Sequence, residues 1–377
     1  MNNLVFNLGL IEMFSYWKTT CAPEIVIKAG HLDARQVNWW QDLLIKGLGQ
    51  FFFENKIDFR SKNFVRIIND EKRAVADFSY QSRLKNRFLV PLGGGKDSIV
   101  TWEIFRKAGR EAVCFSLNPS PAVKKIFKIG DCQKPIVVRR ALDPKLLELN
   151  RQGFLNGHTP FSAYLAFLSV LTAVLFDYKY VAFSNERSAN EGNVKYLGRI
   201  INHQHSKSFE FEQKFRQYCR KYLVGGVEYF SFLRPLFEIQ IAKIFSRCLE
   251  KQPKYSKAFL SCNRAQAGPT PTGKWCGRCP KCLFVFICLA PFLGGEKTSR
   301  IFGKNLLADK KLQPIVKQLT RERGFKPFEC VGTARETRAA LVGGKELAKI
   351  LSSWSSQHNL PLDLTKVMKD ELRLSEG

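Results

Sequence analysis

The 377-residue sequence contains no run of 18 uncharged apolar residues, the length that an apolar helix needs to cross a membrane. Its first residues lack the basic start and the small-residue cleavage site of a secretory signal peptide. Acidic residues are also scarce, because 33 Asp and Glu stand against 60 Lys and Arg. The lack of a membrane-spanning run and of a signal peptide predicts a cytoplasmic protein without membrane insertion. Its formal net charge of +27 would attract polyanions, either nucleic acid or nucleotides and pyrophosphate.

What the sequence does have is apolar content, at 45% of residues, which is enough to build a sizeable core. The longest apolar segment, "FSAYLAFLSVLTAVLF" at 161–176, is too short for a comfortable membrane span and predicts a buried helix. Eleven cysteines occur, but in a reducing compartment they argue against a disulfide framework.

Short apolar strands alternate with helical segments from residue 87 onward. The predicted strands are "RFLVPL", "EAVCFSL", "KPIVVRR" and "KYVAFS", with a helix after the first and a loop rich in Pro and Lys between the second and third. Such alternation is typical of parallel βαβ units and predicts an α/β fold with a doubly wound parallel sheet. Ligands of such sheets bind beyond the carboxyl ends of the strands.

The chain divides by pattern into three parts. Residues 1–82 mix aromatic, apolar and strand-like segments and predict a small N-terminal α+β subdomain. Residues 83–260 carry the alternating pattern, with helical and basic character from about residue 208. Residues 261–377 form a cysteine-bearing, helical C-terminal region.

The most informative segment is "FLVPLGGGKDSIVTWEIFRKAG" at 88–109, which predicts a strand, a tight loop and a helix start. Gly93, Gly94 and Gly95 let backbone N–H groups approach an anion closely, and the following helix N-terminus favours negative charge. Lys96 adds a cation, and Ser98 can donate to a phosphate oxygen. A ligand-free turn is the alternative. The spacing fits neither a Walker A loop nor a dinucleotide-binding G-x-G-x-x-G fingerprint.

Three further segments carry polar residues that could serve a site. In "SNERSANEGN" (184–193), Asn185 or Glu186 could hold Mg²⁺ together with Asp97, or the segment could be a solvated loop. In "NGHTPFSAY" (156–164), His158 either precedes a helix or faces the active site. In "NHQHSKSFEFE" (202–212), His203 and His205 are expected on the surface, with contacts to an anionic substrate as the alternative.

Four cysteines occur at the spacing C-x13-C-x2-C-x2-C: Cys262, Cys276, Cys279 and Cys282. Two-residue gaps let neighbouring thiolates turn onto one tetrahedral ion, so a structural Zn²⁺ is the favoured interpretation. An iron–sulfur cluster, redox-active thiols and unmetallated cysteines stay open.

The loop at 93–98 resembles the SGGxDS loop of the PP-loop ATP pyrophosphatases (adenine nucleotide alpha-hydrolase-like fold), with Gly93 where that family has serine. Two further stretches, "LFVFICLAPF" and "KPFECVG" (326–332), add to the segments above. With all of them, the sequence from about residue 10 to about 345 resembles the MurL-type epimerases of peptidoglycan precursor synthesis. The resemblance implies ATP-dependent inversion of the terminal L-glutamate of UDP-N-acetylmuramoyl-L-alanyl-L-glutamate, with release of AMP and pyrophosphate.

In that scheme the three glycines would cradle the phosphates of ATP, while Lys96 and Ser98 stabilise charge during adenylation. Asp97 would hold Mg²⁺. His158, Glu186 and Cys330 are candidates for the proton-transfer groups. The partner is an anionic UDP-muramoyl dipeptide, which would account for part of the basic excess.

Two other classes of protein remain open at this point. A PP-loop enzyme that thiolates tRNA or forms an amide or nitrile on a nucleobase would also combine the ATP loop with cysteines, and the net charge favours it. The other class is a nucleic-acid-binding adaptor with an inactive nucleotide site, and the only residue that supports it is Gly93. AMP formation from ATP separates both enzymes from the adaptor.

Overall fold

The computed structural model describes residues 1–69, 84–266 and 273–374. The strands in chain order are β1 (Glu24–Ile27), β2 (Arg66–Asn69), β3 (Lys85–Pro91), β4 (Ala112–Leu117), β5 (Ile136–Val138), β6 (Tyr178–Phe183), β7 (Val194–Tyr196), β8 (Arg199–Ile201) and β9 (Glu228–Ser231).

The helices of the first two thirds of the chain are α1 (Asn2–Trp17), α2 (Ala34–Gly47), α3 (Gly49–Glu54), α4 (Lys96–Lys107), α5 (Pro121–Ile129), α6 (Pro144–Arg151), α7 (Phe161–Leu175), α8 (Phe209–Tyr218) and α9 (Glu238–Lys251). The remaining helices are α10 (Asn263–Gln266), α11 (Pro280–Leu293), α12 (Gly295–Phe302), α13 (Gln313–Leu319), α14 (Ala334–Val342), α15 (Gly344–Leu351) and α16 (Leu362–Leu374).

The chain forms two compact units, and each contains three separate stretches of sequence. The first unit consists of 1–85, 140–179 and 192–228, and the second of 86–139, 180–191 and 229–377. The three-part division inferred from sequence stays a prediction, and its first boundary, at 82/83, lies outside the described residues.

The first unit contains the N-terminal helices, the parallel pair β1–β2 and the antiparallel hairpin β7–β8. Its core is aromatic: Trp40 of α2 stacks on Phe167 of α7, with ring centroids 5.1 Å apart. The hydroxyl of Tyr218 accepts hydrogen bonds from Gln36 and Trp40 and donates to Asn7. Helix α2 begins with a capping box between Asp33 and Gln36.

The second unit is built around the five-stranded sheet, in the order β5-β4-β3-β6-β9. The β3–β4 and β4–β5 pairings are parallel. Chain order runs outward from β3 to β4 and β5, and then resumes on the other side of β3 with β6. The strand order therefore reverses between β3 and β6, which is where doubly wound sheets place their ligands. The parallel α/β sheet predicted from sequence is confirmed.

Two elements of the sheet region differ from the sequence prediction. The segment between β4 and β5, predicted as a loop, contains helix α5, because Ser120 caps its N-terminus by accepting from Val123 N and Pro121 occupies the first turn. Strand β9 interrupts the region predicted as helical after residue 208. The buried helix predicted at 161–176 is confirmed as α7.

Among the described residues, no helix combines the length and apolar character needed to span a membrane. Within the same part of the chain, one disulfide joins Cys114 of β4 to Cys132, 18 positions later. The four cysteines of the C-x13-C-x2-C-x2-C pattern are not part of it.

Candidate active site

The glycine loop lies between β3 and α4, as predicted. Gly94 has φ = 91°, a conformation that residues with a side chain rarely adopt. Its carbonyl accepts a hydrogen bond from Leu260 N, at 2.8 Å. A Cβ at position 95 would lie 3.2 Å from Ser261 Cβ, which is a tight contact. Gly94 therefore suits the turn, and Gly95 suits close packing against Ser261. The loop leads directly into the N-terminus of the 12-residue helix α4, a position that favours an anion.

Lys96, the first residue of α4, is buried, with only 1% of its surface exposed. Its ammonium pairs with the carboxylates of Asp97 and Glu238. Burial disfavours the charged form, but the two carboxylates outweigh it and raise the pKa of Lys96 above its usual value. Lys96 is therefore a fixed positive charge at the start of the helix.

A second buried cation, Lys281, approaches the same carboxylate. Its Nζ lies 3.6 Å from Glu238 Oε1 and donates to the backbone carbonyl of Cys330. Burial lowers the pKa of Lys281, but Glu238 and Asp97 more than reverse this effect, so the pKa is raised. Lys281 thus connects α11 and the "KPFECVG" segment to the start of α9.

Three carboxylates converge next to the glycine loop. Oxygen atoms of Asp97, Glu186 and Glu238 lie within 4.8 Å of one another. Glu186 and Glu238 are buried and Asp97 is partly exposed, so the cluster is reachable from one side. Carboxylate oxygens are the ligands that Mg²⁺ prefers, and Mg²⁺ commonly binds one or two of them together with phosphates. The donor set therefore fits Mg²⁺.

The backbone on both sides of this cluster is held by buried polar groups. Arg234, which is completely buried, donates to the carbonyl of Glu186 at 2.6 Å and to Ser231 Oγ at 3.2 Å. Ser188 Oγ accepts from Glu238 N and donates to Glu336, whose other oxygen accepts from Ile239 N. These bonds fix the segment after β6 against the N-terminus of α9.

The four cysteine sulfurs form one compact group. The Sγ atoms lie 3.7 Å apart for Cys262 and Cys279, 3.6 Å for Cys276 and Cys282, and 3.4 Å for Cys279 and Cys282. A tetrahedral ion with metal–sulfur distances near 2.3 Å would separate its sulfurs by roughly 3.8 Å. The four thiols therefore fit Zn²⁺. The residue between Cys279 and Cys282 that faces the carboxylates is Lys281.

Glu329 and Cys330 are both partly buried and lie beside these groups. Burial raises the pKa of the Glu329 carboxyl to about 7, and the neighbouring Cys330 thiol adds to the effect. Its Oε2 accepts from Asn263 Nδ2 at 3.4 Å, next to Cys262. A carboxyl with a pKa near 7 can either give or take a proton at neutral pH.

The predicted histidines belong to the first unit. His158 and His203 lie together, with ring centroids 4.6 Å apart. His205 is buried rather than on the surface, and burial lowers its pKa to about 4. The surface interpretation is therefore wrong for His205, because α8 and the aromatic core of this unit cover it.

The structure thus brings together Lys96, Asp97, Ser98 and Glu186 with the three glycines at the strand reversal, as expected for loops that follow neighbouring parallel strands. Ser98 Oγ donates to Gly95 O at 3.0 Å. Sequence reasoning missed Glu238 and Lys281. Glu238 follows β9, which was not predicted, and Lys281 was hidden within the cysteine motif.

Comparison with known proteins gives two family matches that together span most of the chain. The family model for the MurL N-terminal domain matches residues 1–232, and that for the MurL C-terminal domain matches residues 258–369. Three similar proteins are named UDP-N-acetyl-alpha-D-muramoyl-L-alanyl-L-glutamate epimerase. The protein from Xanthomonas oryzae pv. oryzae is 37% identical over 89% of this chain and 72% of its own length.

The corresponding protein from Salinispora tropica is 36% identical, and the one from a Micromonospora species is 35% identical. Each alignment covers 89% of this chain, with 71% and 73% of the respective relative. Both halves of the sequence, including the glycine loop and the cysteine group, fall within the matched regions. The chain therefore belongs to the MurL family.

Proposed function

We propose that the chain inverts the terminal L-glutamate of UDP-N-acetylmuramoyl-L-alanyl-L-glutamate in peptidoglycan precursor synthesis, by adenylating its carboxylate with ATP. The observation that carries the proposal is the site between β3 and β6. There a glycine loop, a helix N-terminus, two buried ammoniums and three carboxylates meet. The names of the three relatives supply the substrate and favour epimerisation over modification of tRNA or a nucleobase.

Activation of the carboxylate is what makes the inversion chemically feasible. A free carboxylate makes the neighbouring Cα–H a very poor acid, because the carbanion would add negative charge beside a negative group. In the first step a carboxylate oxygen attacks the α-phosphorus of ATP, and the bond to pyrophosphate breaks. The resulting acyl adenylate lacks the carboxylate charge, so Cα–H becomes acidic enough for a side chain to remove its proton.

The proposal assigns roles in adenylation to residues of the second unit. The backbone of Gly93, Gly94 and Gly95 and the N-terminus of α4 would bind phosphate oxygens. Lys96 and Ser98 would stabilise the charge that develops on the phosphates. Asp97, Glu186 and Glu238 would hold Mg²⁺, which when bound neutralises phosphate charge. The two ammoniums offset only part of the negative charge of the three carboxylates, so a bound cation would neutralise the remainder.

Inversion needs one group to remove the Cα proton and another to deliver a proton to the opposite face. Cys330 and its neighbour Glu329 lie by Lys281, so they are the proton-transfer candidates next to the carboxylates. Glu186 is a candidate too, and His158 in the first unit remains one. Water then attacks the acyl carbon, AMP leaves, and the D-glutamate product is released.

The test measures AMP and pyrophosphate release from ATP and Mg²⁺ with and without the UDP-muramoyl dipeptide, followed by chiral analysis of the glutamate. In D₂O the D-product should carry one deuterium at Cα. D-glutamate formed equally well without ATP would contradict the adenylation step. AMP formed only when tRNA or a nucleobase precursor is added would contradict the epimerase proposal.

A further inference from the structure

Glu336, in the first turn of α14, carries a carboxylate that is completely buried. Its Oε2 accepts hydrogen bonds from Thr333 N at 2.7 Å and from Thr333 Oγ1 at 2.8 Å. These bonds belong to the capping box at the start of α14. A capping box needs only such local contacts and no burial, so it does not account for the position of this side chain.

The other bonds of Glu336 reach two distant segments. Ser188 Oγ donates to Oε2 at 2.7 Å, and Ile239 N donates to Oε1 at 3.2 Å. Ser188 Oγ in turn accepts from Glu238 N at 3.2 Å. Ser188 is two positions from Glu186, and Ile239 directly follows Glu238. One carboxylate therefore joins the backbones of the segments that carry Glu186 and Glu238.

The carboxylates on these two segments repel each other. Oxygen atoms of Asp97, Glu186 and Glu238 lie within 4.8 Å of one another, and the two glutamates follow separate strands, β6 and β9. The ammonium of Lys96 offsets part of the repulsion. Because like charges this close disfavour one another, the backbone must hold their separation before a cation binds.

Glu336 is suited to that task because its own charge is stabilised where it lies. Two of its four donors are backbone N–H groups at the N-termini of α9 and α14, where a negative charge is favoured. The "KPFECVG" segment also packs against it: a Cβ at Gly332 would lie 2.9 Å from Glu336 Oε2 and 2.6 Å from Phe284 Cζ. The segment that carries Cys330 is therefore held by the same side chain.

We propose that Glu336 is a positioning residue that holds Glu186 and Glu238 at the separation at which one divalent cation binds both. Its oxygens are occupied by four donors, so it acts through the two glutamates rather than as a ligand. Groups that orient metal ligands commonly contribute 10- to 100-fold to metal affinity. The role of the cation in adenylation rests on the proposed function, but the effect of Glu336 on cation binding does not.

The test measures binding of Mn²⁺, which also prefers carboxylate oxygens, to the full chain by electron paramagnetic resonance, without nucleotide or turnover. Glu336→Gln should weaken Mn²⁺ binding by about 10- to 100-fold. Its amide would face backbone donors on both sides, so at least one anchoring bond is lost. Ser188→Ala, which leaves both capping-box bonds intact, should weaken Mn²⁺ binding in the same direction. Asp97→Asn should weaken it too, which assigns the measured binding to the carboxylate cluster.

The matched control is Ser120→Ala. Ser120 Oγ also accepts from a backbone N–H at a helix start of the second unit, that of Val123 at 3.4 Å, but it caps α5 instead of linking the carboxylate segments. This change should lower the melting temperature slightly and leave Mn²⁺ binding unchanged, as expected for a bond with a structural role alone.

Mn²⁺ binding by the Glu336 and Ser188 variants that equals that of the wild type would overturn the positioning role, even if both melt earlier. The Ser188 variant decides alone if Glu336→Gln does not fold. A wild type that binds no Mn²⁺, or binding that Asp97→Asn leaves unaltered, would also overturn it. Glu336-dependent Mn²⁺ binding by a protein that forms no D-glutamate would keep the positioning role and end the epimerase proposal.

Discussion

The ammonium of Lys96, at the start of α4, pairs with the carboxylate of Glu238, at the start of α9 and 142 positions further along the chain. Both side chains are almost completely buried. The same carboxylate lies 3.6 Å from the ammonium of Lys281. The Glu238 carboxylate therefore interacts with two buried cations, and both would lose this partner if the carboxylate were removed.

Glu238→Gln should lower the free energy of unfolding by about 3 to 5 kcal/mol in Mg²⁺-free buffer, because it breaks a buried ion pair and leaves uncompensated charge. Urea unfolding followed by circular dichroism measures the change. The control is Glu296→Gln, where the carboxylate is 81% exposed and pairs with Arg300. That change should cost less than about 1 kcal/mol. Equal effects of the two substitutions would contradict the role assigned to Glu238.

Asp97→Asn should reduce AMP formation at least about 100-fold, because it removes one of the three carboxylates proposed to hold Mg²⁺ and weakens charge stabilisation at the phosphates. The melting temperature should change little, since the Asp97 side chain is partly exposed. Asp131→Asn, at an exposed aspartate with φ = 51° that asparagine tolerates, is the control for the second unit. Near-normal AMP formation by the Asp97 variant would refute the site.

Cys279→Ser should abolish stoichiometric zinc in the purified protein and lower its melting temperature, because three thiolates cannot close a tetrahedral structural site. Metal content by mass spectrometry and thermal melts give the two readouts. Cys248→Ser changes a cysteine outside the group, whose thiol pKa is raised to about 12 by burial. Zinc retained in both variants, or absent from the wild-type protein, would exclude the structural zinc.

Glu329→Gln should change how stability depends on pH. The pKa of this carboxyl is raised to about 7 in the folded chain, so the folded state holds the proton more tightly than the unfolded state does. The tighter proton binding by Glu329 therefore stabilises the folded chain fully below about pH 4.5, and this stabilisation is lost as the pH rises through 7. From pH 4.5 to 7.5, the stability of the wild type should therefore fall relative to the variant by up to about 3 kcal/mol.

Parallel urea titrations of the two proteins at several pH values test this, with Glu322→Gln at an exposed glutamate as the control. A constant difference between wild type and the Glu329 variant across this pH range would show that the carboxyl titrates normally.

The glycine loop, Glu186 and the cysteine group could be predicted because their signals are local. Glycines after an apolar strand, a polar run after another strand, and C-x2-C-x2-C spacing each depend on neighbouring residues. Since β3 and β6 are adjacent in the sheet, the rule on the ends of parallel strands was enough to bring Asp97 and Glu186 together.

The rest depends on contacts between distant residues. Strand β9 is four residues long and lies in a basic segment, so its pattern was too short to recognise, and Glu238 was overlooked with it. Helix α5 was mistaken for a loop because its segment is rich in Pro and Lys, although proline favours the first turn of a helix. The link from Glu336 to the carboxylate segments becomes visible only when α14 packs against the start of α9.

The interleaving of the second unit has a consequence for how the protein is made. Its three stretches are separated by the segments that build the first unit, so the ribosome delivers Lys96 long before Glu238 and Lys281. At synthesis rates of about 5 to 20 residues per second, that gap corresponds to roughly 7 to 30 seconds. During this interval the emerging lysine has no buried partner and must stay in water. The sheet can then close only after the segment from β9 to α11 has left the ribosome, so this unit completes its folding late in translation.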